Sequence, residues 1–245
     1  MYKQTLKNIV LSSSILLVGL TAMTTIDTPI NPNQAHAYHI PSTETDTAKL
    51  KAYYTQTPQV QYDKYFSYLP AYQTFRIQLH PHKWAATIQP SGEQSSKNLK
   101  ALHEKHVDLF GLTDKDQTQH WWTYHDYYTG GITPAHKASD PERTLKFNIK
   151  KFYKNRNFTY TGSFEFFQTK KPVLTMKELD FRIREEAIKT NFLYENGVKE
   201  TGSITITMQD GNEKTFDINK RIEDHFSNEY IKTADIKTIS VNIEA

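Results

Sequence analysis

The stretch from Lys171 to Tyr194 constrains the fold more than any other part of the 245-residue chain, because it specifies where a helix starts, what it presents and where it stops. Thr175 is a good N-cap, Glu178 follows three residues later to form a capping box, and Leu174 and Leu179 occupy the outer and inner positions of a hydrophobic staple. These signals predict a helix from Met176. Met176, Leu179, Ile183 and Ala187 recur at three- and four-residue spacing, and Asp180 and Arg184 form an i,i+4 pair of opposite charge, worth about 0.2–0.5 kcal/mol on an open helix surface. The pattern is that of an amphipathic helix with one packed and one solvated face. Asn196-Gly197 supplies a left-handed stop, so the helix does not run far past Phe192.

Alternating apolar residues bracket this helix. Upstream, Leu145, Phe147 and Ile149 alternate, as do Phe158, Tyr160, Phe164 and Phe166 across Gly162, which predicts two strands. Downstream, Ile204, Ile206 and Met208 lead to Asp210-Gly211, a type I′ hairpin signal, and Phe216 and Ile218 resume the alternation. Ile239, Val241 and Ile243 give a last strand. Strand, strand, helix, hairpin, strand over residues 144–245 is the order of a β-grasp domain. Earlier, Leu50, Tyr53 and Tyr54 stand at helical spacing, which places a short helix within a tail of residues 38–57. Over residues 58–133, apolar runs such as Phe75-Arg-Ile-Gln-Leu79 and Val107-Asp-Leu-Phe-Gly111 alternate with turn clusters at Pro81, Pro90-Ser-Gly92 and Gly130-Gly131, which favours a small barrel of short strands. Residues 134–143, with two prolines, read as a linker. The expected class is α+β, mostly β.

The N-terminus reads as an export signal. Lys3 and Lys7 form a positive region, Ile9 to Ala22 an apolar one, and Ala35-His-Ala37 a cleavage site, so residues 1–37 are expected to be a signal peptide and the mature chain to be secreted. Removing Lys3, Lys7 and Asp27 lowers the formal net charge from +3 to +2. That balance falls short of the basic character expected of a nucleic-acid binder. No later segment approaches the roughly 18 uninterrupted apolar residues of a membrane span. The chain has no cysteine, which excludes disulfides, thiol catalysis and cysteine-based zinc sites.

Lys171, Leu174, Leu179, Asp180, Arg184, Leu193 and Tyr194 together resemble the second signature of the staphylococcal and streptococcal exotoxin superfamily, with Ala187 where that pattern has Leu. Thr129-Gly-Gly-Ile-Thr133 resembles its first signature, with Thr129 in place of Tyr, and Val107-Asp-Leu-Phe-Gly111 resembles a recurrent barrel strand. The resemblance implies an N-terminal OB-type β-barrel followed by a C-terminal β-grasp domain with a central helix. Without cysteines the disulfide loop typical of the enterotoxins is missing, which brings the resemblance to the staphylococcal superantigen-like proteins.

No Gly-x-Ser-x-Gly elbow, His-Glu-x-x-His pair or phosphate-cradling loop occurs, and Glu185-Glu186 are adjacent on a helix and so point apart; an enzyme is not expected, nor a cofactor. His80-x-His82 and His103-x-x-His106 have metal-like spacing but lack a third ligand nearby, so no metal is expected. Trp121, Trp122, Tyr124, Tyr127 and Tyr128 crowd one segment and are the candidate partner-binding residues, because Trp and Tyr bury large area with few rotors.

The resemblance implies binding to a host immune protein or cell-surface receptor, a chemoattractant receptor among the candidates, and interference with innate immunity. It implies as an alternative a site for sialylated glycans before the central helix, with Lys170, Lys171 and Arg182 as its cations. Lys170 and Pro172 depart from the family pattern there. A true superantigen bridging MHC class II and the T-cell receptor is a further alternative, opposed by the missing disulfide loop and by Ser240-Val-Asn242 where the zinc-dependent members carry His-x-Asp.

Overall fold

The structure is a computed structural model that describes residues 43–69, 74–77, 87–88, 93–114, 127–128, 130–197 and 199–245; the leader read in residues 1–37 lies outside them. The first half holds helix α1 (Thr47–Tyr54), strands β1 (Gln59–Leu69), β2 (Thr74–Ile77) and β3 (Thr87–Ile88), helix α2 (Glu93–Ala101), then β4 (Lys105–Gly111), β5 (Thr113–Asp114), β6 (Tyr127–Tyr128) and β7 (Gly131–Pro134). The second half holds β8 (Arg143–Tyr153), β9 (Phe158–Thr169), β10 (Val173–Thr175), helix α3 (Met176–Lys189), β11 (Thr201–Met208), β12 (Glu213–Asp217), β13 (Tyr230–Lys232) and β14 (Ile236–Glu244).

Two five-stranded sheets dominate, one ordered β3-β2-β1-β4-β7 and the other β12-β11-β14-β8-β9. The second is the β-grasp arrangement, in which β14 returns to lie parallel to β8 while its other pairings are antiparallel. The first sheet is open. Its edge strands β3 and β7 do not pair with each other, and β5 and β6 form a separate ribbon, so among the described residues no sheet closes into a barrel.

Helix α3 starts at the predicted residue, and the Thr175 hydroxyl accepts from the Glu178 N–H at 3.1 Å. The other half of the capping box is not made, because the Glu178 carboxylate turns instead to Lys171 and Arg182. The expected solvated face is reduced to a stripe in the later turns, where Arg182, Glu185 and Glu186 are half-buried and Lys189 is exposed. Every residue from Met176 to Phe181 is buried, with Ile183, Arg184, Ala187 and Ile188, because other elements cover the side opposite the second sheet. Tyr53 and Tyr54 of α1 and Phe110 of β4 place their rings 6.4, 5.8 and 5.5 Å from that of Phe181. The helix ends before Asn196-Gly197: Asn191 and Tyr194 already take left-handed conformations at φ 59° and 55°. At the β11–β12 hairpin only Gly211 has positive φ, so the connection is a longer loop than the two-residue type I′ turn that Asp210-Gly211 suggested.

The Gly130-Gly131 pair is fixed by close approach. A Cβ on Gly130 would stand 2.0 Å from the Phe110 carbonyl oxygen, and one on Gly131, whose φ is +136°, would stand 1.9 Å from the Ser227 carbonyl oxygen. Here β7 meets the start of α3. The Thr175 hydroxyl donates to the Gly130 carbonyl at 3.3 Å, and the Ile132 N–H donates to the Asn228 side chain at 3.0 Å.

Candidate functional site

The charged residues of the second signature form a buried framework. Arg184 donates to Asp180 at 2.8 Å, to the Tyr194 hydroxyl at 2.9 Å and to the carbonyls of Asp217, Ile218 and Lys220 at 3.0–3.1 Å. The Tyr54 hydroxyl donates to the second Asp180 oxygen at 2.7 Å. Burial opposes charge on Arg184, but Asp180 more than offsets it and holds the guanidinium protonated, while burial pushes the Tyr54 and Tyr194 phenols up. Around Glu178, Lys171 donates from one side at 2.9 Å and Arg182 from the other at 3.0 Å. The Arg182 guanidinium also lies 3.8 Å over the Phe167 ring. A third buried pair, Lys151 to Glu200 at 2.6 Å, is anchored by the Tyr194 N–H donating to the other Glu200 oxygen at 2.6 Å. In each set a buried carboxylate has a cation against it, so removing either partner would strand the charge of the other.

The surface carries a more exposed arrangement. The pairing of β1 with β4 breaks between Gln61 and Lys64, which throws Tyr62 and Asp63 into a bulge. Asp63 sits at φ 53°, and its N–H donates to Asp108 at 3.1 Å. Asp108 is 1% exposed, and its other oxygen accepts from the backbone N–H of His136 at 3.1 Å and lies 2.7 Å from His136 Nδ1. Because an ionised carboxylate only accepts, that ring nitrogen carries the proton. Buried Asp108 thus fixes both the bulge and the segment after β7. Tyr62 projects from the bulge and Tyr65 from the paired strand just beyond it, at 50% and 49% exposure, each edge-on to a histidine, His136 at 5.2 Å and His106 at 6.1 Å. Lys171 Nζ lies 5.9 Å from the Tyr62 ring centre, which joins this surface to the segment before α3.

Of the residues singled out in the sequence, Trp121, Trp122 and Tyr124 lie outside the described residues, as do His80 and His82. Tyr127 and Tyr128 form β6 and pair with Asp114 and Thr113. Lys171 and Arg182 come together, but on Glu178; Lys171 is 2% exposed, and Lys170 alone of the three cations is exposed. His103 follows α2 and His106 lies on β4, so they do not share the helical turn their spacing suggested. Among the described residues no cluster of three metal-ligating side chains occurs, and no helix is long and apolar enough to cross a membrane. Sequence reasoning missed the Tyr62–Tyr65 surface. The pair was visible in Tyr62-Asp-Lys-Tyr65, but Asp108, which makes the bulge, stands 45 residues away.

Residues 145–243 match the staphylococcal/streptococcal toxin β-grasp domain, which places the second half in that class of toxins. Across its length the chain is 37% identical over 245 residues to superantigen-like protein 13 of Staphylococcus aureus (strain Newman), covering 97% of this chain and 96% of that protein. The chain belongs to the staphylococcal superantigen-like proteins. Among solved structures, staphylococcal superantigen-like protein 4 aligns with a TM-score of 0.67 at 24% identity, over 82% of this chain and 98% of that one. A Staphylococcus aureus superantigen-like protein in complex with sialyl-Lewis X aligns with a TM-score of 0.63 at 20% identity, over 81% and 99%. At such identities the two structures speak for the fold alone.

Proposed function

We propose that this chain is a secreted superantigen-like exotoxin that binds a host immune protein or cell-surface receptor and interferes with innate immunity without catalysis. The first sheet serves in this reading as the OB-type half of the family architecture. The observation that carries the proposal is the Tyr62–Tyr65 surface, where two half-exposed tyrosines are held by His136, His106 and buried Asp108. Preset aromatic side chains lose little entropy on binding, which is what a protein-contact surface needs. Trp121, Trp122, Tyr124, Tyr127 and Tyr128 are proposed as a second contact segment, and a chemoattractant receptor as one partner.

Labelled full chain should bind human neutrophils, monocytes or lymphocytes in a cell-type-restricted way. Replacing both Tyr62 and Tyr65 by Ala should weaken that binding at least about tenfold with the melting temperature unchanged, as for interface hot spots. Undiminished binding by a folded double variant would remove this surface from the proposal.

A sialylated glycan is the second reading, favoured by the sialyl-Lewis X complex of the aligned relative. Lys171 and Arg182 are engaged by Glu178, so exposed Lys170 becomes the cation such a ligand would meet. Neuraminidase-sensitive cell binding that is lost in Lys170→Ala would establish this reading over the first.

A further inference from the structure

The outer face of the second sheet is polar, and its strands place side chains in rows across β11, β14, β8 and β9. One row runs Ser203, Asn242, Lys150, Thr161; it is flanked by Thr205, Ser240, Asn148, Ser163 on one side and by Thr201, Glu244, Phe152, Thr159 on the other. Part of its margin satisfies itself: Thr205 pairs with Thr215, Thr207 with Glu213, Lys146 with Glu165, and Lys154 with Glu244. Its middle does not. Among the described residues, the side chains of Asn148, Lys150, Thr161, Ser203 and Asn242 make no hydrogen bond or ion pair within the chain. Two shallow clefts, of about 380 and about 620 Å³, meet there, and both are lined by Lys150 and Asn242.

The lining selects a chemistry. Hydroxyls and amides both donate and accept, which suits a ligand bearing many hydroxyl groups and not an apolar one. Lys150 is the sole cation in either cleft, and the one carboxylate there, Glu244, is already paired with Lys154. Phe152, half-buried in the larger cleft, offers an apolar face for the C–H side of a sugar ring. We infer that this trough is a binding site for an acidic oligosaccharide, with Lys150 meeting its carboxylate or sulfate and Asn242, Asn148 and Ser203 its hydroxyls. The site is separate from Lys170 and from the Tyr62–Tyr65 surface, and it stands or falls independently of receptor binding.

The test is calorimetric titration of the full chain with hyaluronan and chondroitin sulfate tetrasaccharides, and with neutral chitotetraose for comparison. An acidic tetrasaccharide should bind more tightly than the neutral one, and Lys150→Ala and Asn242→Ala should each weaken it about tenfold, as expected for charge-assisted and multiple polar contacts. Both side chains are exposed, so the variants should melt as the parent does, and Lys170→Ala should bind as the parent does. Absence of binding by either acidic tetrasaccharide at millimolar concentration would overturn the inference. Binding that survives both trough variants, or that is lost with Lys170→Ala, would overturn it equally, the last by moving the sugar to the segment before α3.

Discussion

At the scale of single residues, Arg184 shows how far context changes what a sequence pair is worth. Its spacing to Asp180 marks an ordinary helix-surface pair, yet both side chains are 0% exposed and the guanidinium serves a carboxylate, a phenol and three carbonyls. Removing one partner of a buried pair leaves the other charged and desolvated, at a cost of about 3–5 kcal/mol. Arg184→Ala should therefore lose that much in denaturant unfolding. Arg184→Lys should recover only part of it, because an ammonium cannot reproduce a planar fork directed at several acceptors. A lysine variant as stable as the parent would mean that charge alone, and not the fork, holds Asp180, Tyr194 and the Asp217–Lys220 carbonyls in place.

At the scale of elements, the junction of β7 with α3 explains why two glycines are needed in Thr129-Gly-Gly-Ile-Thr133. Gly131→Ala would force a methyl against the Ser227 carbonyl and the Thr175 side chain at a φ that L-residues rarely adopt. Overpacking of this kind costs about 1–3 kcal/mol before backbone strain is added. Thermal melting of Gly131→Ala should show at least that loss, and an unchanged melting temperature would show that β7 and the Asp224–Asn228 turn separate easily. Much of this level was legible beforehand. The cap at Thr175, the alternations of β8, β11 and β14 and the early helix at Leu50, Tyr53 and Tyr54 all lie where local patterns put them. What local patterns missed was non-local. Helix α2 offers only Leu99 and Ala101 as apolar residues, and β10 and β13 are three residues each and make sense only as partners. The all-round burial of the first turns of α3, Met176 to Phe181, depends on α1 and β4, which arrive from more than sixty residues away in the chain. The bulge at Tyr62 depends in the same way on Asp108.

At the scale of the whole molecule, the buried charges tie segments from both halves to one helix. Tyr54 of α1 reaches Asp180, Lys171 before β10 reaches Glu178, and Arg182 lies against Phe110 of β4 as well as Phe167 of β9. Integrity of this framework should consequently depend on pH. Burial pushes the Glu178 carboxyl up, but the charges of Lys171 and Arg182 more than offset that, and its value falls below the ordinary 4.5. A carboxyl depressed by folding contributes stability above its unfolded value, and that contribution fades as pH falls through the folded one. The parent should thus lose stability progressively below pH 4.5, while its advantage over Glu178→Gln should be greatest near neutrality and shrink in acid. At neutral pH the variant should lie about 3–5 kcal/mol lower, since Lys171 is left buried without its counter-charge. Denaturant unfolding of both proteins at several pH values between neutrality and strong acid measures the gap directly. If the gap stayed constant across that range, ionisation of Glu178 would not be what binds Lys171 and Arg182 to the central helix, and the acid sensitivity of the fold would have to arise at other carboxylates.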